Sequence, residues 1–223
     1  AFGWMAARYD LKTLLSESAN LPRSYFRGLN FLLNEQPDQA IDAFIEVVKL
    51  DPETVELHFA LGNLFRRRGE TDRAIRVHQN LLSRADLPVS ERDHALFELG
   101  QDFLKAGLLD RAEETFRSLE TGDYALGAQR ALLTIYEIEK DWLKSIDTAR
   151  HLETMGTESL DKEIAQFHCE LAQEALQQKK PDEARRQLGF ALKANPTNVR
   201  ATILFGDVDA AAGAQEAAIA QWR

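Results

Sequence analysis

The residues of this chain best suited to nucleophilic or metal chemistry are five histidines and one cysteine: His58, His78, His94, His151, His168 and Cys169. No two of the histidines have the i, i+4 spacing that places two metal ligands on one helical face. His168 and Cys169 are neighbours, and neighbouring residues of a helix point about 100° apart, too divergent for a thiol activated by an imidazole. One cysteine excludes an intrachain disulfide and any multi-cysteine zinc site in this chain. The carboxylate pairs Glu113-Glu114 and Asp182-Glu183 fall at turns or in first helical turns, where they complement the helix dipole. Neither a Gly-rich phosphate loop nor a Gly-x-Ser-x-Gly elbow is present. The expectation is a protein without an active site, without a metal and without a cofactor.

The elements that would position any functional side chain are set by a repeat. Gly28 and Ala40 are followed, 34 residues later, by Gly62 and Ala74. Gly100 and Ala112 keep the same 12-residue gap, as do Ala172 and Ala184, and Gly206 and Ala218. An aromatic stands three residues after the first small position at Phe31, Phe65, Phe103 and Tyr136, though the fourth unit has Leu133 and Ser145 at its small positions, and another stands sixteen after it at Phe44, Phe116 and Trp222. A small residue on each of two antiparallel helices lets their backbones approach, and the rings fill the seam between neighbouring pairs. This period and pattern are those of tetratricopeptide repeats. One pair buries too little apolar surface to stand alone, so pairs must stack. The fold expected is all-α, a superhelical solenoid of about six helix pairs, the last incomplete. Units are placed near 21–54, 55–88, 93–126, 126–159, 165–198 and 199–223. Turns within pairs are expected at Glu35–Asp38, Arg68–Thr71, Ala106–Leu109 and Lys179–Asp182, with longer joints at Ala85–Arg92 and Gly156–Glu163.

The 223 residues carry 27 Lys and Arg against 36 Asp and Glu, a net charge of −9, which disfavours a general nucleic-acid binder. The second unit departs from that balance, with Arg66, Arg67, Arg68, Arg73, Arg76 and Arg84 close together. In repeats of this kind the first helix of each pair lines the concave groove. Asn63, Arg66 and Arg67 are at groove positions there, and Lys105 is the third unit's equivalent of Arg67. Asn and Arg in a groove suit a partner's backbone amides or carboxylates. Asn63, Arg66, Arg67 and Lys105 are therefore the candidate partner-binding residues, with Arg73 and Arg76 as additional basic contacts. The competing reading is a solvated helix end whose arginines complement the dipole. Replacing Arg66 and Arg67 by Glu is expected to weaken partner capture without unfolding the array. Tyr25, Phe59 and Phe97, each fifth in its unit, line the groove or pack in the core.

No apolar stretch approaches the roughly 20 residues needed to cross a bilayer. Residues 1–20 open with Ala1-Phe2-Gly3-Trp4 and turn polar at Asp10. Trp4 and Tyr9 beside Arg8 fit the cytoplasmic end of a membrane anchor, making 1–20 a juxtamembrane segment; a helix packing Trp4 on the main body is the alternative. Both ends read as cut. An uncapped solenoid end leaves an apolar face exposed, so a homodimer is a further expectation.

Beyond the repeat positions, the chain resembles the bacterial lipopolysaccharide assembly protein B family. The likeness rests on Ala1-Phe2-Gly3-Trp4, on Gly28-Leu29-Asn30-Phe31-Leu32-Leu33, and above all on the run from Leu61 to Gln79, where surface positions agree as well. Ala106 to Glu113 and Ile164 to Ala172 extend it. The resemblance implies an N-terminal membrane anchor, repeats on the cytoplasmic side of the inner membrane, and a rubredoxin-like zinc or iron domain beyond this chain. It implies a non-enzymatic adaptor that regulates lipid A synthesis by promoting degradation of the deacetylase committing precursors to that pathway. The protease implied is a membrane-anchored AAA+ enzyme of the FtsH type. The alternative is a structural scaffold for lipopolysaccharide synthesis or transport proteins with no role in proteolysis.

Overall fold

A computed structural model describes residues 27, 28, 30, 31, 34, 36–50, 54–156 and 158–222. Segment 1–20 and Tyr25 lie outside the described residues. The described residues form eleven α-helices and no strand. They are α1 (Pro37–Leu50), α2 (Val55–Arg67), α3 (Thr71–Leu82), α4 (Val89–Lys105), α5 (Leu109–Arg117), α6 (Ala125–Glu139), α7 (Trp142–Thr154), α8 (Asp161–Gln177), α9 (Pro181–Ala194), α10 (Val199–Ala211) and α11 (Gln215–Trp222). Residues 27, 28, 30 and 31, ahead of α1, are helical too. The all-α repeat fold expected from the spacing is the fold observed.

The repeat is written into the backbone of the turns. Six times, an amide reaches back five residues to a carbonyl: Gln36 to Phe31, Glu70 to Phe65, Leu108 to Phe103, Asp141 to Tyr136, Lys180 to Ala175 and Ala214 to Asp209. This bond closes the first helix of a pair, and in the five later cases the residue just before the donor takes the left-handed conformation. That residue is Gly69, Gly107 and Gly213 in three pairs, at φ 78°, 74° and 81°, but Lys140 and Lys179 in two others, at φ 59° and 58°. A side chain in this region meets its own carbonyl, at about 1 kcal/mol. Lys179→Gly is therefore expected to raise stability by about 0.5–1 kcal/mol, read as a higher denaturant midpoint at unchanged slope.

The chain divides into two compact units, Ala1–Thr115 and Phe116–Arg223. In the first, α2 presents Leu57, Leu61, Leu64 and Phe65 on one face, the i, i+4, i+7, i+8 spacing of an apolar stripe. They pack with Ala40, Ile41, Phe44 and Val47 of α1 and Ala74 of α3. A second cluster joins Phe59, Leu81, Leu87 and Ala95. Phe59 is thus a core residue, with its ring stacked on His94 at 3.8 Å between centroids. In the second unit, α8, α9 and α10 share a core of Ala165, Cys169, Ala172, Ala184, Leu188 and Ala201. Another cluster, Ile146, Ala149, Ile164 and Phe167, has Trp142 packed on it. Besides the joints at 83–88 and 155–160, a break of seven residues, 118–124, separates α5 from α6 and carries Gly122 at φ 89°. The spacing alone gives no sign of that break.

Candidate functional site

The candidate residues of the first unit fall into two groups. Asn63 and Arg66 are drawn together and inward. Arg66 Nη2 donates to Asn63 Oδ1 at 2.5 Å and to Glu98 Oε2 at 2.5 Å; Nη1 donates to Asp102 Oδ1 at 2.8 Å and to the Glu98 carbonyl at 3.1 Å. Asp102 is fully buried, and its other carboxylate oxygen meets Nδ1 of His78, also fully buried, at 2.5 Å. Burial by itself opposes the Arg66 charge, but the bonds and charges of Glu98 and Asp102 outweigh it and hold the guanidinium above its ordinary range. Arg66 is thus the hub of a polar network linking α2, α3 and α4, and the expectation that it projects freely into a groove is revised accordingly.

Arg67 and Lys105 form the second group. Both are exposed at the last residue of a first helix, α2 and α4, and neither has a partner among the described residues. Arg73 and Arg76 stand instead on α3, the second helix of its pair. Arg73 donates to Glu70 at 2.7 Å with its guanidinium 4.0 Å above the Phe65 ring, while Arg76 is exposed with no partner among the described residues. Arg68 is tied to Asp38 and Glu70. Of the candidate residues, Arg67, Lys105 and Arg76 are the exposed cations without a partner among the described residues.

His78 and Asp102 are the functional-looking residues that the sequence reading passed over, and a signal for them existed. His78 occupies the position held by Phe44 and Trp222 in other units, and Asp102 the position of the buried Leu64, Ile135 and Val208. A polar residue at each of two apolar positions is a pair waiting to be recognised. The Nε2 atom of His78 has no hydrogen-bond partner among the described residues. Facing a carboxylate oxygen, which can only accept, Nδ1 is the nitrogen that donates to Asp102.

The His168–Cys169 neighbours do not form an activated pair. Burial pushes the Cys169 thiol up, away from thiolate, and pushes the His168 imidazole down. The Nδ1 atom of His168 faces Gln187 Oε1 at 2.8 Å, and Cys169 Sγ faces Asn198 Oδ1 at 3.9 Å. With no second thiol in the chain, the four-cysteine site of a rubredoxin-like domain has no place here. Among the described residues no cluster of three or more His, Cys, Asp or Glu is arranged to hold a metal ion, and no helix is long and apolar enough to cross a membrane.

Comparison with known proteins places this architecture. The chain is 42% identical to lipopolysaccharide assembly protein B of Escherichia coli over 215 residues, which make up 96% of this chain and 55% of that protein. It is 35% identical to the protein of the same name from Haemophilus influenzae over 218 residues, again 55% of that protein. The chain therefore spans little more than half the length of these relatives. Among solved structures it is similar to a tetratricopeptide repeat protein from Parabacteroides merdae, with a TM-score of 0.56 at 15% identity, covering 90% of this chain and 78% of that one. At that identity the likeness speaks for the fold alone. The tetratricopeptide-repeat profile matches residues 27–86, 60–130 and 169–222, more than half of the sequence. With the paired helices, the recurring turns and the small-residue spacing in agreement, the chain belongs to the tetratricopeptide repeat family.

Proposed function

We propose that the chain is the repeat region of a non-enzymatic adaptor at the cytoplasmic face of the bacterial inner membrane, acting in lipopolysaccharide synthesis. The single observation that carries this reading is the 42% identity, along 96% of the chain, to a lipopolysaccharide assembly protein. In the finer form of the proposal, the array brings a membrane-anchored AAA+ protease of the FtsH type together with the deacetylase of the lipid A pathway. Holding both near one membrane raises their effective concentration for each other, so modest individual affinities suffice. The exposed Arg67 and Lys105 are the proposed contacts, since unpaired cations at the ends of neighbouring first helices suit an acidic partner surface.

The test is the double substitution Arg67→Glu and Lys105→Glu in the membrane-anchored, full-length protein. Neither residue has a partner among the described residues, so the variant should melt as the parent does. The cellular half-life of the deacetylase should lengthen about fivefold, the scale of two reversed charges at an interface. An unchanged half-life would remove these residues as contacts. A half-life that stays the same when the whole protein is deleted would leave a plain scaffold without a proteolytic role.

A further inference from the structure

The second unit has a cavity that plays no part in the reading above. It measures about 510 Å³ where the end of α6, the start of α7 and the start of α8 meet, and its walls include Glu137, Trp142, Lys162, Glu163, Phe167 and Glu170. Its floor is rigid. The left-handed turn at Lys140 brings α7 in immediately after α6, and Asp141 caps α7 by accepting from the Lys144 amide at 3.2 Å. Trp142, the first residue of α7, donates from Nε1 to Glu174 Oε1 at 2.9 Å and stacks on the buried Phe167 at 5.9 Å, with the ring planes 20° apart. An indole held on one side by a hydrogen bond and on another by a buried ring is a preorganised aromatic surface.

Of the three carboxylates that line the cavity, two are not neutralised. Glu170 is bonded to Arg200, but Glu137 and Glu163 have no cationic partner among the described residues. Burial and the charge of Glu163 both push the Glu137 carboxyl up. Glu137 also sits in the last turn of α6, where the helix dipole is negative and a carboxylate is disfavoured. Lys162 lies at the rim and pairs with neither of them. A second cavity of about 440 Å³ shares Trp142 and Glu170 with the first and adds Lys140 at the turn with Gln173, Glu174 and Gln177 of α8. Gln173 accepts from Arg200, which leaves the carboxamide of Gln177 suited to the amide groups of an extended backbone. The two cavities make a furrow longer than one side chain needs.

We infer that this furrow docks an extended segment of a partner protein that carries an arginine or lysine, with the cationic head between Glu137 and Glu163 and against the ring of Trp142. Two unpaired carboxylates beside an aromatic face supply the ion pair and the cation–π contact that such a head seeks. The charge required of the occupant is opposite to that which Arg67 and Lys105 suit, so the two units recognise different chemistry. The inference does not depend on the lipopolysaccharide reading.

The probes are N-acetyl-arginine methylamide and its neutral isostere, N-acetyl-citrulline methylamide, titrated against the 223-residue chain while the indole N–H resonance of Trp142 is followed by NMR. Assignment comes from Trp142→Phe. The arginine probe should give a saturable shift with a Kd of about 1–10 mM, reasonable for one side chain, and the citrulline probe should bind at least about fivefold more weakly. The pentapeptide Ac-Gly-Ala-Arg-Ala-Gly-amide should bind more tightly than the single residue. In Glu137→Gln/Glu163→Gln, arginine binding should weaken by about fivefold or more while the melting temperature holds or rises, because the two charges oppose each other in the free protein. The inference fails if the arginine probe gives no shift up to about 50 mM, well above that Kd range. It fails equally if citrulline matches arginine, or if the double Gln variant binds as the parent does.

Discussion

Gly62→Ala is expected to destabilise the first unit by about 2–4 kcal/mol, although alanine is the better helix former. A Cβ at this position would run into Nε2 of His78 and stand 2.5 Å from its Cε1. His78 cannot yield cheaply. Its ring is fully buried, tilted against Phe59 at 6.0 Å and tied to Asp102 at 2.5 Å. Moving the ring strains the core and stretches the bond to a buried carboxylate, and both costs add to the loss. The sign should reverse when the ring is removed. In a His78→Ala background the added methyl meets no imidazole, and the helical preference for Ala over Gly, about 1 kcal/mol, should make the substitution neutral or favourable. Gly206 gives the internal comparison. A Cβ there would run into Nε1 of Trp222, but that ring is 49% exposed and has room to swing outward, so Gly206→Ala should cost much less. Denaturant unfolding of the four variants, with the slope checked for constancy, measures all of this; an equal loss with and without His78 would contradict the steric account.

What the sequence makes legible, and what it leaves hidden, follows from the range of each constraint. Gly62 and Ala74 belong to the two helices of a single hairpin, so their spacing is local, and it recurs in five of the six units. The fold could therefore be read from it. Gly69 and Gly107 likewise mark the left-handed turn residue, whereas Lys140 and Lys179 take the same conformation without advertising it. The break at 118–124 escapes the pattern because the unit just after it has Leu133 and Ser145 at the small positions, so no Gly/Ala pair marks the register beyond it. The network around Arg66 is hidden for a different reason. Its members lie on α2, α3 and α4, with bonds that join residues as much as 36 positions apart, and Asn63, Arg66 and Glu98 alone read as ordinary helix-surface residues. The arginine excess that singles out Arg66 and Arg67 is real in composition, but composition does not say which cation points inward. Only Asp102 at a position that other units fill with Leu64, Ile135 and Val208 carries that information, because a buried carboxylate requires a buried or half-buried cation.

This distinction leads to the second large effect. Arg66→Glu is expected to cost about 4 kcal/mol or more, enough to unfold a marginal unit, whereas Arg67→Glu, one residue later, should stay within about 0.5 kcal/mol of the parent. The reversal would place a third carboxylate against Glu98 and the fully buried Asp102 and remove the four bonds that Arg66 makes. Removing one member of a buried pair leaves its partner desolvated and uncompensated, which is worse than having no pair. The same logic predicts a rescue. Arg66→Leu alone should be strongly destabilising, but Arg66→Leu combined with Asp102→Asn should recover at least about 1.5 kcal/mol, since Asn still accepts from His78 and no longer needs a cation. Additive losses in that double-mutant cycle would show that Arg66 and Asp102 do not depend on each other. For function the consequence is practical: partner capture lost on substitution of Arg66 would report unfolding, and only Arg67, Lys105 and Arg76 separate recognition from stability.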